Sequence, residues 1–173
     1  MTERDGARAS PNEIFLTDGA SVAVRLCLHG LLRGRMDGVL VPIPQYPLYS
    51  ASIALYGGTL VPYYLDEASG WAMNFANLKE AVENAKREGV MCRGLVLINP
   101  GNPTGQSLTR INLEQLIKFA HEERIVLMAD EVYAVSSGRG GGEQPACSEE
   151  GQRCADLLNE IQGDEGGDGW AEV

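Results

Sequence analysis

Gly94-Leu95-Val96-Leu97-Ile98-Asn99-Pro100-Gly101-Asn102-Pro103-Thr104-Gly105 carries the plainest signal of fold in the chain. Five residues from Gly94 to Ile98 carry no polar side chain, which is the pattern of a strand buried on both faces of a mostly parallel sheet. The run then breaks into two Asn-Pro pairs and two glycines within seven residues. Such a segment imposes a rigid loop, compatible with a cis peptide bond, on the end of the strand. Ligands on open α/β sheets bind outside the carboxyl ends of the strands. A rigid loop there suits the aiming of an amide side chain at a ligand better than it suits a plain surface connection.

On either side of this segment, short β-type runs alternate with helical patterns from Glu13 to Tyr133, the plan of an α/β protein. Upstream, Glu13 to Thr17 reads as extended and leads to Asp18-Gly19-Ala20-Ser21. Val22, Leu26, Leu28, Leu31 and Leu32 then mark a helix ending near Gly34. Val39 to Ile43 reads as a strand, Tyr46 to Leu55 as a helix stopped by Gly57-Gly58, Thr59 to Leu65 as a strand, and Leu78 to Arg87 as a helix. Downstream, Leu113 to Arg124 is a helix with Thr109 or Asn112 as its N-cap, Gln115 being placed to complete a capping box with Asn112. Ile125 to Ala129 is a further buried strand that delivers Asp130 at its C-terminal end.

Three more places at the ends of β-type runs carry chemistry. Thr17-Asp18-Gly19-Ala20-Ser21 combines a glycine with the free amides of a helix start, a suitable cradle for phosphate. Taken alone, it also reads as an ordinary cap. In Pro44-Gln45-Tyr46-Pro47-Leu48-Tyr49 two prolines fix an aromatic after a strand, where it can stack on a flat ring or simply pack. In Ala129-Asp130-Glu131-Val132-Tyr133 a carboxylate ends a buried strand, a costly position unless a cation meets it. A protonated pyridine nitrogen is such a cation, and Tyr133 lies three residues on, close enough to contact a ring oxygen.

Composition narrows the class of partner. The chain has 173 residues, 44% hydrophobic and 22% charged, with a formal net charge of -10. Residues 1 to 133 hold 12 basic and 15 acidic side chains and residues 134 to 173 hold 2 and 9, so the acidity belongs mainly to the tail. No basic cluster exists to neutralise nucleic acid or an anionic membrane, which favours a small-molecule ligand. Cys27, Cys92, Cys147 and Cys154 form neither a zinc pattern nor a disulfide framework and read as reduced thiols. The opening ten residues contain no apolar run of the kind a signal or transit peptide needs, so a cytoplasmic compartment is expected, with a mitochondrial one left open for a full-length relative. After Tyr133 come 9 glycines in 40 residues. Residues 134 to 173 are therefore expected to be a mostly disordered Gly-rich acidic tail, with a short helix possible only over Cys154 to Gln162, behind a lead-in of residues 1 to 12 and a folded unit of residues 13 to 133.

In this order, the four motifs resemble the class I/II aminotransferases of the fold-type I pyridoxal-phosphate superfamily, and within it the alanine aminotransferase subfamily. The segments that carry the subfamily resemblance are Ile14 to Ser21, Pro42 to Ala51 and Leu127 to Tyr133. The resemblance implies a partial large domain with a mostly parallel sheet flanked by helices and pyridoxal 5'-phosphate as cofactor. It implies Gly19, Ala20 and Ser21 around the cofactor phosphate, Tyr46 stacked on the ring, Asn102 and Tyr133 on the ring oxygen, and Asp130 on the ring nitrogen. An amino acid and a 2-oxo acid would be the substrates, alanine and 2-oxoglutarate by subfamily, in an enzyme that is usually a homodimer.

Beyond Tyr133 the sequence departs from the family. The family's Schiff-base lysine lies some tens of residues further on, whereas the lysines here are Lys79, Lys86 and Lys118, all before Asp130. The family's substrate-carboxylate arginine, its small domain and much of its N-terminal segment have no counterpart either. With no catalytic lysine, the expectation for these 173 residues is an inactive, marginally stable or aggregation-prone fragment that binds cofactor or pairs with a complete subunit. Other readings are weaker. Gly19 has no partner glycines at the dinucleotide-binding spacing, there is no P-loop, His29 and His121 are isolated, and no serine sits in a nucleophile elbow.

Overall fold

The computed structural model describes residues 10–133 and 171–172. Expectations for the rest of the lead-in and the tail, including the short helix over Cys154 to Gln162, lie outside the described residues. Helices α1 (Ala20–Leu31), α2 (Leu48–Leu55), α3 (Phe75–Arg87) and α4 (Arg110–Glu122) alternate with strands β1 (Asp37–Ile43), β2 (Thr59–Asp66), β4 (Met91–Ile98) and β5 (Val126–Asp130). A two-residue β3 (Ala72–Met73) and a two-residue β6 (Ala171–Glu172) complete one sheet of order β3-β2-β1-β4-β5-β6. All pairings are parallel except that of β2 with β3.

The inner strands are buried on both sides, and alternate residues separate the two layers. Val39 and Val41 of β1, Val96 and Ile98 of β4 and Met128 of β5 pack with Val24 and Leu28 of α1 and Tyr49 and Ile53 of α2. Leu40, Leu95, Leu97, Leu127 and Ala129 face the other way, onto Leu78 and Val82 of α3 and Leu113, Leu116 and Ile117 of α4. This period-two alternation within apolar runs is what the parallel strands require once helices cover both faces. The helices change face where the chain, having built β2 beside β1, crosses to place β4 on the other side of β1. The junction of β1 and β4 is thus the topological switch point, where such sheets open a crevice at their carboxyl ends.

Proline shapes that crevice. Pro42 lies in β1, a central strand, and has no N–H to give to the ladder. The β1–β4 pairing accordingly ends at Leu40 opposite Leu95. The carbonyl of Val96 accepts instead from the Tyr63 hydroxyl at 2.8 Å, so this buried oxygen is satisfied although the strands part.

Several boundaries differ from the sequence-based expectation, each for a local reason. Glu13 belongs to a 3-10 turn, Pro11–Glu13, capped by the Ser10 side chain; Ile14 is extended, but the β-type run expected over Glu13 to Thr17 forms no strand. Helix α2 starts at Leu48, not Tyr46, with Pro47 as its cap residue. Asn74 caps α3 by accepting from the Asn77 amide at 3.1 Å, which adds three residues, Phe75 to Asn77, before the expected start at Leu78. Of the two candidate caps for α4, Thr109 serves, accepting from the Asn112 amide at 3.3 Å, and Asn112 lies inside the helix, so there is no Asn112–Gln115 capping box. Ala171–Glu172, the described residues after Tyr133, pair with Met128 and Ala129 of β5.

Candidate active site

The loop after β4 is held from within. Buried Asn99 accepts the Leu108 amide on its side-chain oxygen at 3.0 Å, and its own amide donates to the Asp130 carbonyl at 3.0 Å. The Gly101 amide donates to the Gln106 carbonyl and the Gly105 amide to the Gly101 carbonyl, both at 2.8 Å. A Cβ on Gly101 would overlap the Thr104 hydroxyl and come within 2.7 Å of the Gln106 side-chain oxygen, so a side chain there would displace these two from their present positions. Both Asn-Pro bonds are cis, as is Ile43-Pro44 at the end of β1. Gln106 also donates to the Trp71 carbonyl at 3.1 Å, which ties the loop to the chain before β3.

This loop carries Asn102, whose side-chain amide donates to the Tyr133 hydroxyl at 3.3 Å. Two residues read from the sequence as partners of one ring oxygen are thus neighbours, although 31 positions apart. Tyr133 is 46% exposed and Tyr46, on the other side of the switch point, is 47% exposed. Both are aromatic rings held at the carboxyl edge of the sheet without being buried.

Asp130 ends β5 on the face covered by α1 and α2. Its Oδ2 accepts from the Tyr49 hydroxyl at 2.5 Å and its Oδ1 from the Val132 amide at 3.3 Å. Tyr49 is 1% exposed. Burial, reinforced by the bond to Asp130, pushes the Tyr49 hydroxyl far above its ordinary pKa, so it remains a donor at any physiological pH. Among the described residues no ion pair with Asp130 is formed, and the carboxylate is half-buried. The sequence motif contains Tyr49 without assigning it a role; it lies in the first turn of α2, three residues after Tyr46, which precedes the helix.

Gly19, Ala20 and Ser21 lie at the N-terminus of α1. The C-terminus of α1 feeds β1 through a short turn, so its N-terminus lies at the carboxyl edge of the sheet with the other groups. Gly19 is the cap residue with φ of 90°, a conformation that L side chains rarely adopt, and a Cβ there would meet nothing within 4 Å. Glycine is therefore needed for the backbone path, and the space beside it is open. No side chain caps the helix, and the first-turn amides of Ala20 and Ser21 are among those that helix geometry leaves without intrahelical acceptors. Their link to the Asn102, Tyr133 and Asp130 cluster, like that of Tyr46, is a shared edge and not a direct hydrogen bond.

The lysines stand apart. Lys79 is exposed on α3, Lys86 pairs with Glu123 at 2.8 Å and Glu83 at 3.2 Å at the far end of the same helix, and Lys118 is 4.0 Å from Glu122 on α4. Cys27 is half-buried and Cys92 buried; burial raises both thiols, Cys92 to about 11, which leaves little nucleophilic thiolate at neutral pH. No helix among the described residues is long and apolar enough to cross a membrane.

An aspartate at the end of β5 and a contacting asparagine and tyrosine thus lie at the carboxyl edge of a mostly parallel α/β sheet. The chain belongs to the aminotransferases of class I and II, whose family model matches residues 4–149. The similarity is to alanine aminotransferase 1, mitochondrial, of Arabidopsis thaliana, 58% identical over 130 residues covering 75% of this chain and 24% of that protein. Glutamate–glyoxylate aminotransferase 1 of the same plant is 55% identical over 133 residues, covering 77% of this chain and 28% of that protein. Among solved structures, an alanine aminotransferase from Pyrococcus furiosus superposes with a TM-score of 0.74 at 26% identity, over 90% of this chain and 36% of its own. The fold is accordingly a partial fold-type I aminotransferase large domain. The chain spans about a quarter of the length of the curated relatives it matches.

Proposed function

We propose that this chain is the cofactor-holding part of a pyridoxal-phosphate-dependent aminotransferase that moves an amino group between alanine and a 2-oxo acid such as 2-oxoglutarate. The observation that carries the reading is Asp130. A carboxylate fixed by Tyr49, without a cation of its own among the described residues and three positions before the Tyr133 that Asn102 contacts, suits a protonated pyridine ring bearing an adjacent oxygen. The open, uncapped start of α1 suits a phosphate. Tyr46, half-exposed at the same edge, is available to cover one ring face.

When bound, the cofactor supplies an electron sink for negative charge developing at the carbon next to the amino nitrogen. The chain's own residues bind and orient it. Amides at Gly19, Ala20 and Ser21 would hold the phosphate, Asn102 and Tyr133 would donate to the ring oxygen, and Asp130 would keep the ring nitrogen protonated. None of Lys79, Lys86 and Lys118 is in this cluster. For a polypeptide of these 173 residues, we therefore propose non-covalent cofactor binding without amino transfer, a role open to pairing with a complete subunit. In a complete family member, a lysine would add the covalent anchor and the proton shuttle.

The phosphate cradle is tested by comparing two ligands that differ in that group alone. Fluorescence titration of the chain is expected to give at least ~10-fold tighter binding of pyridoxal phosphate than of pyridoxal, equivalent to ~1.4 kcal/mol or more from charge-assisted contacts at the helix start. Equal affinities would remove α1 from the site.

A further inference from the structure

Asp130 has a second side chain behind it, 81 residues away in sequence, and the bond between the two is the shortest contact in the site. Tyr49 donates to Oδ2 at 2.5 Å from a helix whose packing fixes it, with Ile53 one turn on and Val41, Val96 and Met128 in the same buried cluster. We infer that Tyr49 is a positioning residue, which locks the Asp130 carboxylate in the rotamer that receives a cationic ring nitrogen and makes the site discriminate such a ring from a neutral one. The inference rests on the proposed pairing of Asp130 with the ring.

The physical case has two parts. A carboxylate at a strand end can turn about its side-chain torsions, and immobilising it before a ligand arrives lowers the entropic cost of binding. Tyr49 supplies that immobilisation at Oδ2 from a fully buried, packed ring, while the Val132 amide fixes Oδ1. The donor is also permanent. Burial and the neighbouring carboxylate both oppose loss of the phenolic proton, so the bond persists across the pH range in which the ring nitrogen titrates. At metal sites, residues that orient a ligating side chain change affinity by ~10- to 100-fold when removed, and an effect of that order is the expectation for Tyr49.

The test measures a ratio. The chain, its Tyr49→Phe variant and its Tyr63→Phe variant are titrated with pyridoxal phosphate and with the analogue in which carbon replaces the ring nitrogen, and thermal midpoints are recorded. Tyr63→Phe is the control because it removes another buried tyrosine hydroxyl, the one bonded to the Val96 carbonyl. The unaltered chain and Tyr63→Phe are expected to prefer pyridoxal phosphate over the analogue by ~10-fold or more, and Tyr49→Phe to reduce that preference by at least ~5-fold while still binding the analogue normally. An equal loss for both ligands in Tyr49→Phe, an unchanged preference, or unfolding of Tyr49→Phe alone would overturn the positioning role. If the unaltered chain itself shows no preference, the pairing of Asp130 with the ring fails, a result separable from failure of Tyr49.

Discussion

Replacing Asp130 with alanine is expected to weaken pyridoxal phosphate binding by about 30-fold, the ~2 kcal/mol that a hydrogen bond to a charged group contributes. The residue ends β5, where the Asn99 amide closes on its carbonyl, so its backbone is held whatever the side chain. What alanine removes is the charge facing the ring and the acceptor of the Tyr49 hydroxyl. The second loss also costs stability, because a buried hydroxyl is left unpaired. Asp130→Asn separates the effects: the amide oxygen still accepts from Tyr49, the negative charge is gone, and affinity is expected to fall ~10-fold with the thermal midpoint little changed. Fluorescence titration of both variants measures this, and unchanged affinity in both would place the ring elsewhere.

A second large effect concerns stability at the opposite edge of the sheet. Asp37 opens β1 with a side chain only 6% exposed, and it accepts from Arg93 Nε at 2.7 Å, from Arg33 Nε at 3.1 Å and from the Arg33 amide at 3.0 Å. The hydrogen bonds of Arg33 and then of Arg93 hold its carboxyl far below the usual carboxylate range, against the opposing effect of burial. Asp37→Ala is expected to lower the unfolding free energy by ~2–3 kcal/mol, read from urea denaturation, since Arg93 loses its partner at a partly buried position. The direction of the shift sets the pH dependence. The carboxyl in the unfolded chain titrates near ~3.9 and in the folded chain lower, so the contribution is complete above about pH 5 and is lost as pH falls through the folded value. The variant is therefore expected to show a flatter stability profile below about pH 4 than the unaltered chain.

Legibility in the sequence tracked how local each signal was. The strands around Val39, Leu95 and Leu127 stood out because central strands of a parallel sheet are apolar without interruption. The first residues of β4 did not, because exposed Met91 and the partly buried Arg93 break the run, and Arg93 lies there to meet Asp37, 56 positions away. β3 has two residues and no period to detect. In the candidate site, motif order pointed to Gly19, Tyr46, Asn102, Asp130 and Tyr133, the last four of which follow strands β1, β4 and β5 or end one of them. The contact of Asn102 with Tyr133 agrees with a common target for the two. Tyr49 escaped because its partner is set by tertiary packing, and Asn99 because its amide faces the loop it holds together and not the ligand edge.

One titration tests the proposed cofactor site most directly. The purified chain is titrated with pyridoxal phosphate, the absorbance of free and bound cofactor is followed, and the complex is reduced with borohydride before mass analysis. Saturable binding with no lysine modified in stoichiometric amount is the predicted result. Stoichiometric trapping of Lys79, Lys86 or Lys118 together with amino transfer, or the absence of any binding, would contradict it.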